Sequence, residues 1–344
     1  MHHGQPEVTS LDRLLPELAA HAPALDAASG GEAAATWRWW SCYLHEVADP
    51  QGRYRVLRWP DGTPGPLLQA GSRSALRAVS NYYTPLFQAA PAGAPVARWV
   101  AELAGAASLE LGPIDTASAD AWADALHASG WRCFRRAAFG NWYLPCEGLG
   151  FDAYLAQRPA VTRNTYKRKL RQFTSAHGGL RLSLVSSPEQ LDEALVAYER
   201  VYSRSWKPLE SHPAFIRSWA RQCAAAGWLR LGLAWQGDEP IAAQFWYTAF
   251  GKAHVFKLAY DESATRMSAG TVLTGYLLQH ALDHDQVREV DYLSGDDAYK
   301  QAWMSHRRQR WRLLAFNPRR LPGLLGAAEA EIRQWWRQLM RAGS

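Results

Sequence analysis

Long apolar runs are missing from this 344-residue sequence. No stretch approaches the roughly eighteen consecutive apolar residues of a membrane-spanning helix, which excludes that class. The start, MHHGQPEVTSLDRLLPEL, also lacks the basic opening and continuous apolar core of a signal peptide, so a soluble, cytoplasmic chain is expected. Cysteine is scarce: Cys42, Cys133, Cys146 and Cys223 form no CxxC pair and are too few for a disulfide scaffold, and they read as reduced, mostly buried thiols. There is no GxSxG elbow and no cysteine beside a plausible histidine, so nothing requires a covalent enzyme intermediate. His280 and His284 stand four apart on an expected helix, but no third ligand has a persuasive spacing. No metal is therefore expected.

What the sequence does have is bulk, aromatic surface and an uneven charge. The length exceeds what one core usually supports, and 48% apolar residues are enough for two. Seventeen Trp and fourteen Tyr suit aromatic-lined clefts as well as packing. Residues 1–150 carry 11 Lys+Arg against 14 Asp+Glu, and residues 151–344 carry 27 against 18. A basic second half points to an anionic partner: cofactor phosphates, nucleic acid or a membrane surface. The charge balance changes at the Pro/Gly interruption PCEGLG, 145–150, which sets the expected boundaries at 1–148, 149–317 and a C-terminal helix over 318–344.

Before that boundary RYRVLRWP, GPLLQAGS and SLELGPID read as strands and SRSALRAVS as a short helix. ADAWADALHASG reads as a helix closed by Gly130. After it the basic helical segment FDAYLAQRPAVTRNTYKRKLRQF precedes a strand, LRLSLVSS, and two helices, the first capped at Ser186-Ser187-Pro188. Three strands follow, turning at Gly237-Asp238 and Gly251-Lys252. A helix from about Ser268 to His284, the strand VREVDYLSG, the short helix DAYKQAWM and the strand RRQRWRLLAFN complete the order. The pattern is an α+β layered domain with an antiparallel meander feeding one strand–helix–strand crossover.

That order resembles the acyl-CoA N-acyltransferase (GNAT) fold. Arg163 to Lys169 (RNTYKRK), Ser205-Trp206-Lys207, Ile241 to Gln244, Lys257 to Asp261, Ser268 to Gly270 and Asp291 to Trp303 are similar to the cellulose-biosynthesis-type (BioF2-like, CelD-like) acetyltransferases, relatives of the FemAB peptidyltransferases. FemAB-like proteins pair two such folds, so the resemblance implies tandem GNAT-like domains, each a mixed, mostly antiparallel sheet flanked by helices. The N-terminal one would be a diverged copy.

Candidate site residues follow from chemistry and resemblance together. In ATRMSAGTVL a helix begins near Ser268, and its free N–H groups with the helix dipole suit a pyrophosphate. Arg266 and the backbone of Ser268, Ala269, Gly270 and Thr271 are the candidate donor-binding group, although an N-cap Ser before a helix-start Gly reads equally as plain capping. The resemblance puts Lys257, Tyr260 and Asp261 near the reaction centre, with Gln244, Lys257 and Tyr260 as substrate-binding residues, and implies a splay between KLAYD and VREVDYLSG that frees backbone N–H groups for an oxyanion. Acylating an amine requires removal of its proton and benefits from a donor to the thiolate. Asp261, Asp291, Asp296 and Tyr299 are therefore the catalytic pool, although Asp261-Glu262-Ser263 reads first as turn chemistry. Lys300, Lys207 and Arg163 are the expected contacts to an anionic acceptor, the basic run 163–171 otherwise reading as a solvated face.

The function expected is transfer of an acyl group from acetyl-CoA or another acyl-CoA, without metal, to an amine, or else a hydroxyl, of a sugar or cell-envelope precursor, by direct attack in a ternary complex. A FemAB-like enzyme using aminoacyl-tRNA is the alternative with the same fold. A non-catalytic double-GNAT scaffold is the alternative from another class. LLGAAEAEIRQWWRQLMR forms an amphipathic tail helix that either docks on the domain or lies on an anionic membrane, which would make the protein peripheral to the inner membrane.

Overall fold

A computed structural model describes residues 8–175 and 180–342, so the chain start read for a leader falls partly outside the described residues. Two compact units emerge, one of residues up to 139 together with 309 onward, the other of residues 140–308.

The first unit runs β1 (Thr9–Ser10), α1 (Leu11–Ala20), α2 (Ala22–Ala28), α3 (Trp37–Glu46), β2 (Arg53–Arg58), β3 (Pro64–Ala70), β4 (Ala75–Ala78), α4 (Val96–Glu102), β5 (Ser108–Ile114), α5 (Thr116–Ala128) and the start of β6 (Arg132–Pro145). Strands β2, β3 and β4 are antiparallel and β4 lies parallel to β5. Its core centres on Trp99 and Trp122, fully buried and stacked at 6.1 Å. Asp115 starts α5 by accepting the Ser118 N–H at 2.7 Å, the side-chain cap that an otherwise orphaned donor needs. The segment SRSALRAVS does not form the expected helix: Arg73 and Ser74 take positive φ, 54° and 59°, and the residues after them alternate in burial as β4. That left-handed step breaks a helix before it can nucleate.

The second unit continues with α6 (Phe151–Ala156), α7 (Ala160–Ser175), β7 (Leu180–Val185), α8 (Leu191–Ser203), α9 (Pro213–Ala225), β8 (Leu229–Gln236), β9 (Glu239–Ala249) and β10 (Lys252–Tyr260). Then come α10 (Ala269–Gln279), β11 (Glu289–Asp291), α11 (Ala298–Trp303), β12 (His306–Phe316) and α12 (Leu321–Ala342). Pro159, unable to continue a helix, separates α6 from α7. Strands β8 to β10 form the expected antiparallel meander, β7 extends it antiparallel to β8, and β10 lies parallel to β11. Phe250 and Gly251, at φ 53° and 74°, make the β9–β10 turn with the positive φ that a two-residue hairpin demands.

Both units thus repeat one plan: four antiparallel strands, a helical crossover, and a fifth strand parallel to the fourth. The last strand of each plan is exchanged. Tyr143 to Pro145 of β6 pair with β11 in the second unit, and Trp311 to Phe316 of β12 pair with β5 in the first. The architecture is the α+β one expected, a mixed and mostly antiparallel sheet flanked by helices.

Helix α7 crosses α10 at Gly275, where an added Cβ would sit 2.0 Å from Tyr166 Cε2. Gly275→Ala gains about 1 kcal/mol of helix propensity. It then forces a buried ring aside, at a cost of about 1–3 kcal/mol. We expect a net fall in Tm, with Tyr166→Leu in the same chain recovering most of it. An unchanged Tm for Gly275→Ala alone would show that the helices part freely.

Candidate active site

Pairing between β10 and β11 covers only Lys252–His254 against Glu289–Asp291, while β10 continues beside β9 as far as Tyr260. The pairing stops where β11 ends at Asp291, so β10 runs on past it at the place where the resemblance implies a splay. From Val255 onward one edge of β10 pairs with no strand among the described residues, so backbone N–H groups on that edge point into the gap. A register shift between Val255 and Lys257 adds a local twist there. The expected strand VREVDYLSG ends early, because Leu293 turns the chain at φ 54°.

On the face under α10, Gln244 is 1% exposed. Its Nε2 donates to Gly270 O at 3.0 Å and Thr274 Oγ1 at 2.8 Å, and its Oε1 accepts from Trp246 Nε1 at 2.9 Å. Thr274 Oγ1 donates to Gly270 O at 2.9 Å and lies 2.6 Å from Tyr299 Oη. With its hydrogen committed to Gly270, Thr274 accepts from Tyr299. The Tyr299 ring is exposed while its hydroxyl points inward, and burial raises that hydroxyl above the ordinary tyrosine value. It stays a proton donor at neutral pH. Tyr292, buried, packs edge-on against its ring at 6.2 Å.

The helix start itself is open. Ser268 takes a left-handed φ of 53° and its side chain caps nothing; its carbonyl accepts from Thr271 N at 3.0 Å and Val272 N at 3.2 Å, which leaves the Ala269 and Gly270 N–H groups as the open ones of the first turn. Gly270 faces Tyr260, and a Cβ there would stand 3.3 Å from Tyr260 Cδ1. The other side of Tyr260 meets Trp206 at a ring separation of 4.4 Å. Ala269 is buried, Thr271 half-buried and Arg266 exposed.

Three lysines gather beside this aromatic pair. Lys257, 4% exposed, donates to Glu210 Oε2 at 2.7 Å, and burial lowers its ammonium below the usual range. Lys300 donates to Tyr292 O at 3.3 Å and to Ser294 O, with Asp297 Oδ2 at 3.6 Å. Its charge is spent on holding the 292–295 loop. Lys207 forms no ion pair among the described residues. Its Nζ lies 5.7 Å from the Trp206 ring centroid and 5.9 Å from that of Tyr202. Burial, then the like charges of Lys257 and Lys300, push it down to about 8.

The remaining expected residues are engaged elsewhere. Asp261 accepts from Ser263 N at 2.9 Å and Ser263 Oγ at 2.6 Å, capping its own turn, with Arg204 Nη1 at 3.7 Å. Asp291 accepts from Asn141 Nδ2, Leu293 N and Arg308 Nη2 at 2.6, 2.7 and 2.5 Å. Asp296 is held by Arg307, at 2.6–3.0 Å, and by Trp142 Nε1 at 2.7 Å, and the Arg307 guanidinium holds its carboxyl below the usual range. Arg163 donates to Ala156 O and Arg158 O near the end of α6. The structure thus gathers Gln244, Gly270, Tyr299, Tyr260, Lys257, Lys207 and Lys300 around the splay, and ties the three aspartates and Arg163 into the surrounding frame.

Sequence reading missed Thr274, Glu210 and Asn141. Thr274 carried a signal: it is a hydroxyl one turn after Gly270 on an otherwise apolar helix face. Glu210 and Asn141 lie in irregular or strand sequence where only the fold shows their partners. Among the described residues no group of three or more His, Cys, Asp or Glu is placed to hold a metal ion.

Residues 160–301 match the family described as the acetyltransferase (GNAT) domain, a match that supports an acyltransferase. No curated protein matches the sequence significantly. Among solved structures, FemX is similar at TM-score 0.57 and 10% identity, over 86% of this chain and 95% of FemX. The C-terminal domain of a putative lysylphosphatidylglycerol synthetase from Agrobacterium fabrum is similar at TM-score 0.51 and 13% identity, over 93% of this chain and 97% of that one. L-PGS from Bacillus licheniformis reaches TM-score 0.50 and 13% identity, over 85% and 95%. At these identities the likeness is one of fold.

Proposed function

We propose that the chain is an acyl-CoA-dependent N-acyltransferase, of the cellulose-biosynthesis type that its motifs resemble, acting on an amine-bearing, anionic sugar or envelope precursor. The observation that carries this reading is the splay of β10 from β11 beside the start of α10, with Tyr299 Oη on Thr274 of that helix and Lys207 beside Trp206. Acyl-CoA would supply an activated thioester carbonyl. The α10 start fits its phosphates, since Gly270 brings no side chain and the N–H groups and helix dipole favour an anion. Freed N–H groups on β10 stabilise the negative charge that develops on the acyl oxygen. Tyr299 gives a proton to the leaving thiolate, and Lys207 holds an anionic group of the acceptor. Each aspartate of the expected pool already serves a turn or an arginine, so the acceptor amine arrives neutral, its proton passed to solvent.

The test is mass spectrometry of candidate amino sugars and envelope precursors incubated with the protein and acetyl-CoA. An acetylated product is expected, and Tyr299→Phe should slow turnover roughly tenfold to a thousandfold with little change in acetyl-CoA binding. An aminoacyl-tRNA donor is the second reading, favoured by the exposed basic face of α7 at Lys167, Arg168 and Arg171. Stabilisation by tRNA, with none from any CoA, would overturn the first reading in its favour.

A further inference from the structure

A helix that completes its own domain buries large apolar side chains and exposes small or polar ones. Helix α12 of the first unit does the reverse. Its inner side is small: Ala327 and Ala330 are 4% exposed. A Cβ at Gly323 would lie 2.2 Å from Asn317 O, and one at Gly326 would lie 2.6 Å from Phe316 Cδ1. Its outer side carries Leu324, Leu325, Ile332, Trp335, Trp336 and Leu339, each between 46 and 62% exposed. Their spacing by three, four, seven and eight places them on one stripe. Docking has therefore used the glycines and alanines and left the large residues in water.

The stripe is too broad for a coiled-coil seam, which uses two positions in seven, and the sequence holds no sustained heptads. Other features favour a lipid surface over a second helix. Trp335 and Trp336 meet edge-on at 5.8 Å, side by side, and indole rings partition to the headgroup level of a bilayer. Residues 318–342 contain five Arg and two Glu. Arg319 and Arg320 are exposed at the helix entry, and Arg333 pairs with Glu329 along its flank. No helix of the described residues is long and apolar enough to cross a membrane, so this one would lie flat. Twenty-two residues span about 33 Å.

We propose that α12 is an interfacial helix that seats this protein on an anionic lipid bilayer, its Leu/Ile/Trp stripe in the acyl boundary and its entry arginines on the headgroups. The contact is independent of acyl transfer. Its test is co-sedimentation of the full chain with vesicles of phosphatidylcholine alone or mixed with phosphatidylglycerol. Sedimentation with the mixed vesicles, weakened by salt, is expected. Trp335→Ala/Trp336→Ala should reduce that binding tenfold or more, with Tm unchanged because both rings are exposed. Arg319→Glu/Arg320→Glu should weaken binding to mixed vesicles while leaving the apolar stripe intact. Equal sedimentation of the wild type and the tryptophan variant would overturn the proposal. So would wild-type protein that ignores anionic vesicles but forms a dimer that the same variant dissociates.

Discussion

Asp291→Ala is expected to lower stability by about 3 kcal/mol, the largest single loss in the second unit, and to do so whether or not the protein turns over. The carboxylate is 4% exposed and takes hydrogen bonds from Asn141, Leu293 N and Arg308. Arg308 also holds Glu289 at 2.8 and 3.1 Å, and it stacks over the Tyr143 ring at 4.3 Å. Burial alone would lower the Arg308 guanidinium, but the Asp291 and Glu289 carboxylates overcome it and hold that cation above its ordinary value. Deleting Asp291 leaves the half-buried Arg308 guanidinium with Glu289 as its one carboxylate and Asn141 Oδ1 as its other acceptor, and strips Asn141 Nδ2 and Leu293 N of an acceptor, which costs more than the bonds themselves contributed. Urea unfolding measures the loss. The double variant Asp291→Ala/Arg308→Met should recover part of it, because the stranded charge is gone. A variant that keeps its unfolding midpoint yet loses turnover would instead make Asp291 a reacting group.

The same residue shows where sequence reading reaches and where it stops. The meander was legible because Gly237 and Gly251 mark its turns and the strands between them are rich in β-branched and aromatic residues. The splay followed from the resemblance, and the tail helix from its periodicity. Charges were another matter. Asp261, Asp291 and Asp296 stand near the splay in sequence, but their partners Arg204, Arg308 and Arg307 come from the end of α8 and the start of β12. One-dimensional spacing cannot show that each carboxylate meets an arginine. Lys300 was visible as a helix-borne cation, whereas its turn into the Ser294 carbonyl depends on the left-handed step at Leu293. Of the three clustered lysines, Lys207 is the one without an ion pair among the described residues, and its sequence context alone did not set it above its neighbours.

Lys207→Met should raise the acceptor KM roughly tenfold to a hundredfold, the worth of one charge-assisted hydrogen bond, while the acetyl-CoA KM changes little. The pH dependence makes the expectation specific. Lys207 falls from an ordinary 10.5 to about 8, so its ammonium, and with it the grip on an anion, is present below pH 8 and lost as pH rises through that value. For stability the sign is opposite: between about 8 and 10.5 the unfolded chain binds the proton that the folded one releases, so stability rises with pH across that window. An anion bound at Lys207 removes that penalty by favouring the charged form. Inorganic pyrophosphate should therefore raise Tm more at pH 7 than at pH 9. Lys207→Arg, charged throughout, should keep the effect at both, and Lys207→Met should lose the pH-dependent part, keeping only what pyrophosphate gains at the α10 start. If the methionine variant retains the pH-dependent shift, the anion sits elsewhere, and the cluster of three lysines is a feature of the frame. If the shift vanishes together with acetyl-CoA binding, Lys207 belongs to the donor side of the splay, and the acceptor must be recognised by the aromatic wall of Trp206 and Tyr260 instead.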